Sequence, residues 1–201
     1  MGEDAHRYFI INKPRNMLSQ FVRSHEAALL GDLDFSFPAG THAIGRLDSA
    51  SEGLLLLTTN KKVTKLLFQG TVPHRRVYLV QVKNIISHET LEQLRTGVSI
   101  RIKGGGYYTT TPCDIQLVTN YEDHIKWGEK IPAHIPNSWL LITLTEGKYH
   151  QVRKMVKAVH HPCKRLIRIA IEHVQLNGLQ PGEVKEIEEK DFFAQLRIEE
   201  W

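Results

Sequence analysis

The chain has only two cysteines in 201 residues, Cys113 and Cys163, placed far apart. That pair supports no disulfide framework and points to a reducing compartment, with the cytoplasm as the expected location. No apolar run approaches the roughly 18 residues that a membrane span requires. The first residues, Met1 to Arg7, are too polar for a secretory signal. Internal repeats and low-complexity tracts are missing as well. The glycines at Gly104 to Gly106 lack the fixed spacing and following helix of a phosphate loop or dinucleotide fingerprint, so they read as a hairpin turn. His160, His161 and Cys163 have no second ligand pair to complete a metal site. Neither a metal nor an organic cofactor is expected. A hydrophobic content of 41% with 24% charged residues leaves an ordinary globular chain, long enough to bury a substantial core.

Acid is also missing from one place. Between Lys148 and Arg168 stand Lys148, Arg153, Lys154, Lys157, Lys164, Arg165 and Arg168, with no Asp or Glu. The net charge of +4 understates this patch, because Glu183 to Trp201 carries seven acids against three bases. A concentrated basic stretch suits phosphates, and it also suits a solvated helix face. A small neutral substrate has no use for it.

The richest segment is His42 to Asn60, H-A-I-G-R-L-D-S-A-S-E-G-L-L-L-L-T-T-N. Leu54 to Leu57 reads as a strand covered on both faces. Asp48 stands just outside it, where a carboxylate is held by a rigid element. On spacing alone, a turn Asp that caps backbone amides is the favoured reading. Elsewhere, Arg7 to Asn12 is a strand stopped by Lys13-Pro14, and Gly31 to Gly40 is a loop. Lys61 to Gln69 is helical, and Val77 to Val82 alternates as a strand. Ser87 caps a helix that uses Leu91 and Leu94 and ends at Gly97. A long surface loop fills Tyr121 to Asn137, and Ser138 to Thr145 is a strand. Gln151 to His160 is a helix with Val152, Met155, Val156 and Val159 on its apolar stripe. Strand character returns over Leu166 to Ile171 and Glu172 to Leu176. Strands without strict β-α-β alternation predict an α+β fold: a mixed, mainly antiparallel central sheet with flanking helices.

Two further residues are candidate partners for Asp48. Tyr78 lies mid-strand in R-R-V-Y-L-V-Q-V, where a half-buried structural aromatic would also fit. Arg153 lies in E-G-K-Y-H-Q-V-R-K-M, at the start of the basic helix, where a solvated base would also fit. Together these segments resemble the RsuA-type pseudouridine synthases. The G-R-L-D stretch with its following G-L-L-L-L-T is similar to their catalytic motif, R-V-Y-L-V-Q-V to their tyrosine motif, and G-K-Y-H-Q-V-R-K-M with R-L-I-R-I-A-I to their closing motif. N-K-P at Asn12 to Pro14 resembles their opening lysine-proline strand. The four occur in family order across residues 8 to 180. The segment I-P-N-S-W-L-L-I-T-L-T-E-G-K is similar to the E branch of the large-subunit enzymes, whose members lack an N-terminal S4 domain. This chain likewise reaches N-K-P almost at once. Residues from Asp191 to Trp201 match nothing in that pattern.

The resemblance implies conversion of a specific uridine of bacterial large-subunit rRNA to pseudouridine, by a cytoplasmic monomer needing no cofactor. It implies one catalytic domain over residues 1–201, divisible into two subdomains, with the active site in a cleft across the sheet. Because a stacked base is out of reach, the uridine must be flipped. Asp48 would then act at the sugar–base junction, as nucleophile or as partner in a glycal route. Tyr78 would flank the base, and Arg153 would pair with Asp48 and keep it ionised. Arg46, Lys154, Arg165, Arg168 and Lys13 would hold RNA, the substrate being free rRNA or an assembly particle. Ser49 and Ser51 are expected to brace the turn. A non-catalytic RNA-binding factor and a small-molecule hydrolase are the competing classes, and the chemistry of Asp48 separates them.

Overall fold

Residues 5–22, 26–69, 72–128, 132 and 134–201 are described by a computed structural model. Its strands and helices follow from short apolar runs broken by Pro, Gly and Asn. In chain order they are β1 (Tyr8–Lys13), β2 (Met17–Leu18), β3 (Ala28–Leu29), β4 (His42–Ala43), β5 (Glu52–Thr58) and α1 (Val63–Gln69). Then come β6 (Arg76–Lys83), α2 (His88–Thr96), β7 (Ser99–Arg101), β8 (Tyr107–Thr109), β9 (Asp114–Val118) and β10 (Asn137–Leu144). Last are α3 (Gln151–Ala158), β11 (Cys163–Ile171), β12 (Val174–Gln175), β13 (Val184–Ile187) and α4 (Glu189–Leu196). The expected α+β class holds. Pairings β1–β5, β1–β13, β6–β10 and β9–β10 are antiparallel, while the short β2–β3 pair is parallel. Among the described residues no helix is long and apolar enough to cross a membrane.

The chain divides into two compact units. The first takes residues up to His74 and from Arg168 onward. In it, β1 lies between β13 and β5, and every residue of both β1 and β5 is buried. Alternate side chains point to opposite faces of a strand. Phe9, Ile11, Leu55 and Leu57 therefore share one face, over which Phe35 and Phe37 pack edge-on against Phe9 at 5.5 and 5.6 Å. Tyr8 on the other face meets Phe192 and Phe193 of α4 at 4.6 and 5.4 Å. The four-leucine run is thus buried on both faces, as its lack of alternation predicts.

The second unit runs from Arg75 to Ile167, with strand order β6-β10-β9. Its core joins Val80 and Val82 of β6 and Leu140, Ile142 and Leu144 of β10 to the stripe of α3 and to Leu91 and Leu94 of α2. Ser87 caps α2 by accepting from Thr90 N at 3.2 Å, and Gly97 ends it at φ +115°. A Cβ at Gly97 would lie 2.3 Å from Thr110 O, so only glycine fits there. The Gly104–Gly106 stretch is the turn of the β7–β8 hairpin, as read from sequence.

Several details differ from expectation. Helix α3 stops at Ala158, because His160 adopts a left-handed backbone (φ +65°). Strand β11 begins at Cys163, three residues before its apolar core. The surface loop over 121–137, of which 129–131 and 133 lie outside the described residues, opens with a 3-10 turn that stacks Tyr121 on Trp139 at 4.6 Å.

Candidate active site

Within the first unit, the backbone around Asp48 is pinned from both sides. Ile44 and Leu47 are buried, and Ile44 N donates to Leu56 O at 2.8 Å, so the segment is laid along β5. Gly45 has φ +73°, and a Cβ there would meet the Phe68 ring at 2.8 Å. Ser19 Oγ accepts from Leu47 N at 3.0 Å and donates to Leu47 O at 2.8 Å. Asn16 N donates to Ser49 O at 2.7 Å, and Ser51 N closes the turn onto Asp48 O at 2.9 Å. Ser51 is 1% exposed, so the turn is anchored at its end. The Asp48 carboxylate itself is half-buried.

Lys13 lies beneath this turn. Its ammonium donates to Pro14 O and Met17 O, both at 2.8 Å, and to Ser49 O at 3.4 Å. Burial pushes the Lys13 pKa down to about 8; the carboxylates of Glu52 and Asp48 oppose that fall, and Arg168 adds to it. Arg168 donates from Nε to Leu54 O at 2.8 Å. Two buried cations and two carboxylates thus form one electrostatic group around the Asp48 turn.

Lys13 and Arg168, two of the residues expected to hold RNA, thus lie inside the protein rather than on its surface. Lys13 is 0% and Arg168 4% exposed, with their head groups on main-chain carbonyls. The reason is register: Lys13 continues the odd-numbered face of Phe9 and Ile11, which is interior along its whole length. That continuation was the available signal, and Glu52, also buried, carried no comparable one.

Lys13 has a measurable consequence. The unfolded chain holds this proton up to the ordinary lysine pKa near 10.5, the folded chain only to about 8. Between those values the unfolded state binds more protons, so stability rises with pH. A full shift of this size corresponds to about 3 kcal/mol. We expect the urea midpoint of the wild type to gain on that of Lys13→Met between pH 8 and 10; parallel profiles would exclude this origin.

The other named residues belong to the second unit, except Arg46, which is exposed in the first. Tyr78 is half-buried on β6 opposite Ile142 and packs against the core beside Val80. Arg153, on the first turn of α3, is half-buried and donates from Nη1 to Cys163 Sγ at 3.6 Å. Arg165 donates to Trp127 O at 3.2 Å and lies across Gly128, where a Cβ would meet its guanidinium at 2.2 Å. Lys154 places its ammonium 5.2 Å from the centre of the Tyr149 ring. Among the described residues no three His, Cys, Asp or Glu side chains converge as a metal site would require.

A glycine-opened turn thus holds one carboxylate over a buried lysine, ahead of a leucine strand. Comparison with known proteins places the chain among the RNA-modifying isomerases. The sequence profile of the RNA pseudouridylate synthase family matches residues 7–158, and the chain belongs to that family. It is 36% identical over 90% of its length to a Vibrio vulnificus protein named ribosomal large subunit pseudouridine synthase E, covering 75% of that protein. It is 33% identical over 86% of its length to a protein of the same name from Xanthomonas axonopodis, covering 89%. A solved pseudouridylate synthase superposes with a TM-score of 0.73 at 21% identity, over 96% of this chain and 75% of that one, which establishes the shared fold. The enzyme is an RNA pseudouridine synthase, an isomerase.

Proposed function

We propose that this enzyme isomerises one uridine of large-subunit ribosomal RNA, with Asp48 as the reacting carboxylate. The carrying observation is the pinned Asp48 turn over Lys13, in a G-R-L-D stretch that resembles the family's catalytic motif and lies within the matched residues 7–158. The names of the relatives support the choice of RNA.

The reaction detaches uracil from C1′ and rejoins it through C5, with no redox change. Asp48 either adds to C1′ or supports removal of the 2′ proton along a glycal route; both require an ionised carboxylate held still. Lys13 lies beneath the Asp48 turn, its charge interacting with Asp48 and with Arg168. Tyr78 flanks the extruded base and assists proton transfer at C5, and Arg153 orients the carboxylate. Arg46, Lys154 and Arg165 engage phosphates without reading sequence. Residues 1–201 act as one catalytic domain, a cytoplasmic monomer working on free rRNA or on an assembly particle.

Mapping carbodiimide-reactive pseudouridines in ribosomal RNA from cells with and without the gene tests the substrate. One large-subunit signal should vanish on deletion and return with the wild-type gene. An unchanged large-subunit map would overturn this assignment.

A further inference from the structure

The turn between β10 and α3 carries an aromatic pair that the core does not use. Gln151 N donates to Lys148 O at 3.0 Å, closing a four-residue turn with Tyr149 and His150 at its centre. Their rings stack at 3.8 Å and 20°. Tyr149 is 63% exposed, and His150 holds a left-handed backbone (φ +56°), unusual for a residue with a Cβ. The turn is nonetheless rigidly tied. Lys148 N donates to Gln151 Oε1 at 2.8 Å, and Gln151 Nε2 to Glu146 Oε1 at 2.6 Å. Thr111 N and the Tyr108 hydroxyl also donate to the Glu146 carboxylate. Cations flank the pair: Lys154 lies 5.2 Å from the Tyr149 ring centre, and Lys148 lies 4.5 Å from that of Tyr108. An exposed, pre-stacked aromatic surface bordered by lysines has the chemistry that takes up an unpaired base together with its phosphate.

We infer that Tyr149 and His150 form a stacking platform for an unpaired nucleobase of the RNA substrate, with Lys154 on the adjoining phosphate. The platform adds binding without reading the base, because every base has a π-face. The inference rests on RNA being the substrate, not on which RNA it is.

The test compares binding of a short single-stranded oligouridylate by wild type, Tyr149→Ala, Tyr149→Phe and Lys154→Met over a salt series, with thermal melting as the folding control. Stacking on an aromatic supplies enough affinity that Tyr149→Ala should bind about tenfold or more weakly. Tyr149→Phe should stay within about twofold, since the ring remains. Neither changes a charge, so their salt slopes should match the wild type, whereas Lys154→Met should lower the slope by roughly one counterion. The platform is refuted if Tyr149→Ala binds as the wild type does, or if Tyr149→Phe loses as much as Tyr149→Ala. Because the probe is not ribosomal, failure here leaves the rRNA assignment standing, and failure of the mapping leaves this result standing.

Discussion

Replacing Asp48 with Asn should stop pseudouridine formation while leaving a folded, RNA-binding protein. Asn has nearly the shape of Asp, and the turn is held through main-chain groups, Ser51 N to Asp48 O and Asn16 N to Ser49 O, which the substitution does not touch. What it removes is the negative charge, and with it the capacity to add to C1′ or to support proton removal beside it. Removal of a reacting group in enzymes costs several orders of magnitude, so a fall of about a thousandfold or more is expected. Tritium release from C5-labelled uridine in the RNA reads this directly, since C5 gives up its hydrogen when it bonds to the sugar. RNA affinity should stay within a few-fold, because the basic stretch is intact. Asp48→Glu is the informative companion: it keeps the charge but moves it by one methylene, and misplacement on that scale is itself costly. Normal tritium release from Asp48→Asn would remove Asp48 from the chemistry and restore the reading of a turn-capping carboxylate.

Phe193→Ala is expected to be the most damaging single substitution outside the site. Phe193 and Phe192 of α4 are both fully buried, and with Tyr8 they form a three-ring cluster whose centroids lie 4.6 to 5.5 Å apart. The Tyr8 hydroxyl is enclosed too: it donates to Glu189 and accepts from Asn60 Nδ2 at 3.1 Å. Its pKa is pushed up to about 12, chiefly by burial. Truncating a buried Phe costs about 3–5 kcal/mol, the spread reflecting how far the surroundings collapse. For a chain of this size that corresponds to a melting temperature lower by roughly 6–20 °C. Thermal unfolding followed by circular dichroism measures it; a drop within a degree or two would mean that α4 packs loosely. The same substitution should leave RNA affinity unchanged in whatever fraction remains folded, which separates it from Tyr149→Ala.

The two predictions fall on opposite sides of what could be read beforehand. The Asp48 turn was visible because its signals are local: a small residue, a carboxylate, two serines and then leucines. Helix α4 was not, because Glu189–Leu196 is dominated by charge around two adjacent phenylalanines, and its value depends on a partner strand far away in sequence. The segment from Asp191 onward matched nothing in the family pattern, yet its Phe192 and Phe193 pack on Tyr8 of β1.

Lys13 marks the same division inside the site. The resemblance counted it among the residues that hold RNA, and only the fold placed it at 0% exposure under Ser49 O. The sequence alone determined the α+β class, the buried leucine strand, the Ser87 cap and the α3 stripe, because each depends on neighbours within a few residues. Tertiary structure decided which charges face water, what the acidic tail covers and which aromatics stay exposed. Those properties depend on residues brought together across the chain, and burial is what changes the chemistry of a charge.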